Sequence, residues 1–140
     1  MLHQSSTGSD TLATALILAA AIRRLAPFDL ICCGNYTLDG STAQVPSQVA
    51  EFLGIPNIMH VSHLELEQDK PLVITQKIEH GYVKLSAEPP LLLSFTKEAN
   101  KPRFISFLEI LAAEKREISI WTNADLNLDE SRLGLGGSPT

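Results

Sequence analysis

The stretch Thr11-Leu-Ala-Thr-Ala-Leu-Ile-Leu-Ala-Ala-Ala-Ile-Arg-Arg-Leu25, followed by Ala26-Pro27 and then Phe28-Asp-Leu-Ile-Cys-Cys33-Gly34, decides the class of fold. Its first part is rich in strong helix formers and ends on Arg23-Arg24, cations that suit the negative end of a helix. Alanine and leucine make it apolar nearly all round, so a helix over 11–25 is predicted to be largely covered. Ala26-Pro27 breaks it. Phe28 to Cys33 is short, apolar and stopped by Gly34, which predicts a strand buried on both faces. A helix followed by a buried strand is the alternation of an α/β chain.

Outward from this pair the alternation continues. Residues 34–41 read as a loop, and Thr42 to Leu53 as a second helix closed by Gly54 and Pro56. Ile55 to Val61 reads as a strand. Leu72 to Glu79, the turn His80-Gly81 and Tyr82 to Ser86 predict a β-hairpin. After Pro89-Pro90 comes a very apolar strand, Leu91 to Thr96, then a helix around Phe107 to Lys115 and a strand from Glu117 to Trp121. The expected fold is therefore α/β, a mainly parallel sheet with helices on both sides, carrying an antiparallel hairpin insertion. The domain opens on a helix where such folds usually open on a strand, so it is expected to be incomplete. Its bounds are set at 1–122, with 123–140 as an extended tail.

With 140 residues the chain is one domain or a piece of a larger one, and two full domains are excluded. Its 11 basic against 16 acidic residues give a net charge of −5, the wrong sign for binding a phosphate backbone, which argues against nucleic acid as a partner. The longest apolar run, Leu12 to Ile22, is about half of a membrane span. Adjacent Cys32 and Cys33 point to opposite faces of a strand and do not readily bridge, so reduced, buried thiols and a cytoplasmic location are expected.

His3, His60, His63 and His80 show no metal-ligand spacing, and no metal site is assigned. Gly134-Leu-Gly-Gly137 lacks the strand before and the helix after that a dinucleotide loop requires. No nucleophile elbow, phosphate loop or zinc-protease helix is present, so no catalytic residue is assigned. The loop from Gly34 to Gln44 differs, because it lies where an open α/β sheet places ligands, after a buried strand and before a helix. Ser41 and Gln44 have the spacing of a capping box, and the helix start offers backbone N–H groups to an anion. Asp39 either bonds a ribose hydroxyl or caps its own turn.

Five motifs carry a resemblance. Gly8-Ser-Asp-Thr-Leu-Ala-Thr14, Phe28-Asp-Leu-Ile-Cys-Cys-Gly34, Asp39-Gly-Ser-Thr-Ala-Gln-Val45 followed by Ala50-Glu-Phe-Leu-Gly-Ile-Pro56, Asn100-Lys-Pro-Arg-Phe104 and Gly134-Leu-Gly-Gly-Ser-Pro-Thr140 occur in the order found in the electron-transfer flavoprotein β subunit. The likeness runs over residues 8–140 and resembles the middle of a subunit nearly twice as long. It implies an adenine-nucleotide α-hydrolase-like sheet whose first strands and C-terminal arm lie outside this stretch, and hence a fragment prone to self-association.

The resemblance further implies a partner α subunit bearing a redox-active FAD, and a nucleotide, AMP or a second FAD, held in this subunit by Gly34, Asp39, Thr42, Ala43, Gln44 and Val45. Two departures alter that seat: Pro46-Ser47 replaces the family's Gly-Pro, and Asp39-Gly-Ser-Thr42 lacks one acidic residue. After Asn100-Lys-Pro-Arg103 the resemblance implies a recognition loop for a flavin dehydrogenase, with Phe107 as its anchor and Ile105 and Leu108 beside it. The family's lysine run is reduced to Glu114-Lys115-Arg116. Phe107, Leu108 and Leu111 also have the spacing of the core face of an amphipathic helix. The expected function is that of a β-subunit-like carrier that passes electrons between dehydrogenases and an acceptor, not a stand-alone enzyme. The alternative is a truncated adenine-nucleotide-binding domain without electron-transfer activity.

Overall fold

The computed structural model describes residues 8–38, 40–68 and 70–138. Helix α1 spans Thr11–Leu25, the bounds its composition predicts. Asp10 caps it by accepting a hydrogen bond from the Ala13 amide at 2.9 Å, and Arg23 and Arg24 stand in its last turn. Strand β1 covers Leu30–Gly34, α2 Val45–Leu53, β2 Asn57–Glu65, β3 Leu72–Ile78, β4 Gly81–Ala87 and β5 Leu91–Phe95. Helix α3 covers Phe107–Glu114 and α4 Asn123–Leu126, and a 3-10 turn covers Glu130–Arg132.

The strands form one sheet in the order β1-β5-β2-β3-β4. The first three run parallel, with Leu30 opposite Leu91 and Ile58 opposite Leu93. Strands β3 and β4 extend β2 antiparallel, so the predicted hairpin continues the sheet. Because side chains alternate along a strand, β5 feeds two cores. Leu92 joins Ala15 and Ala19 of α1 and Val49 and Ala50 of α2 on one face. Leu91 and Leu93 join Val61, Leu72 and Ile74 on the other. The predicted flanking helices are present, α1 and α2 packing on the first cluster, and among the described residues the second cluster is built from strands alone. The hairpin supplies its apolar surface.

Four expectations change. Strand β1 is an edge strand, and it is not buried on both faces: Cys32 is exposed and Cys33 half-buried, both free thiols. Helix α2 starts at Val45, three residues later than predicted from Thr42, which places Pro46 in the first turn where its missing N–H costs nothing. Of the strand expected over 117–121, residues 117–120 form none, and Trp121 makes a single β-bridge. Residues 123–138, expected to be extended, coil into helical turns that fold back on α1. The Arg24 guanidinium lies 5.1 Å from the Trp121 ring centroid, and its Nη1 donates to the Asp125 carbonyl at 2.5 Å.

Candidate functional site

The site grows from the C-terminal end of β1. Ser94, fully buried on β5, reaches the carbonyl of Gly34 at 3.4 Å and Oδ1 of Asn35 at 3.2 Å, so the loop leaves the sheet from a fixed point. Further along the loop, Ser41 Oγ donates to the Thr37 carbonyl at 2.8 Å. That hydroxyl is therefore spent on its own turn, and the predicted capping box with Gln44 does not form. Gln44 is the N-cap residue of α2, but its side chain makes no capping bond. It accepts from Thr11 Oγ1 on α1 at 3.2 Å instead, and Gln48 Nε2 donates to the same hydroxyl at 3.4 Å.

Two features suit this junction to a phosphate-bearing ligand. Ala43 has a left-handed backbone, φ 54°, followed by Gln44 in the right-handed helical region; such alternation turns successive N–H groups toward one side, making a concave anion seat. The first-turn amides of α2 lack a side-chain cap, which leaves them for an outside acceptor. Pro46 removes one of them. Beside them, Gln48 Oε1 is buried without a hydrogen-bond partner, an acceptor that a ligand hydroxyl or amine would satisfy. The residues present thus fit a nucleotide. Asp39, the remaining predicted ligand, lies outside the described residues, while Gly34 ends β1, Thr42, Ala43 and Gln44 lie in the loop that follows, and Val45 opens α2.

The motif Gly134-Leu-Gly-Gly-Ser138 closes onto the start of α1. The Gly134 amide donates to Ser9 Oγ at 3.1 Å and the Asp10 amide to Ser138 Oγ at 2.9 Å. A Cβ on Gly137 would stand 1.9 Å from the Arg132 carbonyl carbon, so only glycine permits this approach. On the other side of the loop a cleft of about 1090 Å³ opens over the C-terminal ends of β1, β5 and β3 and the middle of β2, lined by Tyr36, His60, Gln76, Lys77, Phe95 and Lys97 among others. Lys77 pairs with Glu98 at 2.7 Å at its rim, and that bond holds the Lys77 ammonium above its ordinary range. Gln48, Ser94, His60 and Gln76 were not singled out as site residues from sequence. Each owes its place to a partner distant along the chain, which leaves no local signal.

The segment before and along α3 is apolar and uncovered. Ser106 and Glu109 form a complete capping box, which fixes the helix although little packs on it. Phe104, Ile105, Phe107 and Leu108 are all exposed, Phe107 by 71%, so the core-face alternative fails for these residues. Among the described residues no group of acidic, histidine and cysteine side chains forms a metal site. No described helix is long and apolar enough to cross a membrane.

Residues 2–126 match the family model of the electron transfer flavoprotein domain. The chain belongs to the electron transfer flavoprotein domain family. It is 41% identical over 133 residues to the electron transfer flavoprotein subunit beta of Clostridium acetobutylicum, covering 95% of this chain and 51% of that one. The Megasphaera elsdenii subunit beta is 42% identical over 139 residues, with 95% and 51% covered. Subunit CarD of the caffeyl-CoA reductase-Etf complex of Acetobacterium woodii is 38% identical over 133 residues, with 95% and 50% covered. The chain spans about half the length of the curated relatives it matches. The family's α/β class is the one the sheet displays, and the recognition drawn from the five motifs holds.

Proposed function

We propose that the chain serves as the nucleotide-seating and partner-docking part of an electron transfer flavoprotein β subunit. In this reading it holds AMP or a second FAD and pairs with a FAD-bearing α subunit in the cytoplasm. The pair passes electrons from a flavin dehydrogenase to an acceptor, and this chain is a carrier component, not a catalyst in its own right. The observation that carries the reading is the uncapped start of α2, where the Ala43–Gln44 turn and the orphaned Gln48 oxygen meet in a chain of this family.

Each residue has a physical task in that role. The Val45 amide and the Ala43–Gln44 turn receive phosphate oxygens, Thr11 and Gln48 offer hydroxyl and amide groups to the sugar or base, and Asn35 and Gly34 border the cleft. A bound flavin supplies reversible one- and two-electron chemistry; the protein supplies orientation and exclusion of water. The exposed Phe107 with Ile105 and Leu108 provides an apolar anchor of the kind that dominates protein interfaces. An adenine-nucleotide domain without an electron-transfer partner has no use for this surface, which favours the carrier reading.

Calorimetric titration of the chain with AMP, ADP and FAD tests the seat. Measurable binding weaker than micromolar is expected, because Pro46 removes a phosphate donor. No binding of any of the three, alone or after mixing with a cognate α subunit, overturns the reading. The flavin absorption spectrum of that mixture tests the pairing, and a spectrum identical to that of the α subunit alone counts against it.

A further inference from the structure

His60 stands in the middle of β2 with a left-handed backbone, φ 57°, a region that histidine seldom occupies and that ordinary strand residues avoid. The register with β5 shifts between Ile58 and Val61 and that with β3 between Val61 and His63, so His60 is the turned residue of a bulge. A bulge re-aims a side chain, and bulges concentrate beside functional sites. This one is held from both sides. Gln76 Nε2 donates to the Met59 carbonyl at 3.0 Å, and the Val61 carbonyl accepts from the Thr96 amide at 2.9 Å and from its hydroxyl at 3.3 Å. Strain persists where its surroundings over-determine it in this way, and it concentrates at ligand clamps and active sites.

His60 lines the cleft of about 1090 Å³ together with Tyr36 and Phe95, the latter also packed against the second core cluster. His60 is exposed and contributes to neither hydrophobic core. Three flat side chains around one opening, next to a loop that suits phosphate, are a surface for a planar ring. We infer that His60 contacts the planar heteroaromatic ring of the ligand in this cleft by stacking, and that the β2 bulge exists to aim it there. This rests on the nucleotide reading above. Two rings have that chemistry, a flavin and an adenine.

Riboflavin, followed by quenching of its fluorescence, and adenosine, followed by calorimetry, present the two rings without phosphate. The full chain is expected to bind at least one of them. Two variants without a ring, His60→Gly and His60→Asn, both compatible with a left-handed backbone, should weaken that binding about tenfold, as loss of one stacking partner does. Their melting temperatures should equal or exceed the parent's, because neither is more strained there than histidine. Unchanged ring affinity in both variants overturns the inference, as does a marked fall in melting temperature in both, which would make the imidazole structural. A parent chain that binds AMP or FAD but neither free ring also overturns it while leaving the nucleotide seat intact. A parent that binds none of the four removes the seat itself, and the inference with it.

Discussion

At the scale of single residues, Phe107 and Gly137 make opposite predictions. Phe107 is 71% exposed, so Phe107→Ala should change folding stability by no more than about 0.5 kcal/mol, the usual range for surface sites. The same change should weaken a dehydrogenase complex by about 2 kcal/mol or more, as loss of an interface anchor does. Thermal melting and a binding titration separate the two effects, and a large fall in melting temperature retires the docking role. Gly137→Ala should instead cost about 1–3 kcal/mol, because its Cβ would meet backbone, the Arg132 carbonyl carbon at 1.9 Å and the Leu133 nitrogen at 2.2 Å. Melting should show that loss, and unchanged stability would mean the turn does not hold this shape. The glycine motif was legible as a pattern. Its physical purpose was not, since the constraint comes from a turn folding onto Arg132 and Leu133.

Among the elements, α3 depends on its cap more than on packing, and this gives it a pH dependence. The Ser106 amide, then the Ser106 hydroxyl and the Arg103 guanidinium, hold the Glu109 carboxyl below its ordinary value of 4.5. A carboxylate depressed in the folded state stabilises fully above the unfolded value, and that contribution is lost as pH falls through the lower, folded one. Amide protection factors over residues 107–110, measured by hydrogen exchange, should therefore be flat above the glutamate range and decline as pH drops below it. Glu109→Gln should abolish the decline. A decline that persists in that variant assigns it to other groups. The bounds of α1 were legible because capping, composition and the Pro27 break agree over one continuous stretch. The start of α2 was not, because Ser41 and Gln44 have capping-box spacing while the Ser41 hydroxyl goes to Thr37 and the Gln44 side chain to Thr11. Ile118 and Ile120 alternate as in a strand, yet pairing is a property of the neighbour, which no local pattern contains.

For the whole molecule, the alternation of helix and apolar strand identifies the α/β class, but the order β1-β5-β2-β3-β4 depends on β5 entering between β1 and β2, a long-range choice. That order leaves β1 at an edge, and no described strand pairs with its outer side. An unpaired strand edge is a template for another strand, and the exposed Phe104, Ile105, Phe107, Leu108, Ile118 and Ile120 add apolar surface of the kind that marks association sites. Both favour a second chain over water. Size exclusion with light scattering should therefore give a mass that rises with concentration above the 15.3 kDa of one chain. Addition of a cognate α subunit should shift the population to a one-to-one complex, because the partner then competes for the same apolar surface. A constant mass of one chain across a wide concentration range, with a single cooperative melting transition at high temperature, would show that the edge and the α3 surface are tolerated in water and would count against the need for a partner. If self-association persists at saturating α subunit, the surface that drives it is not the one the partner covers, and β1 rather than α3 becomes the element to block with a charged substitution such as Cys32→Lys.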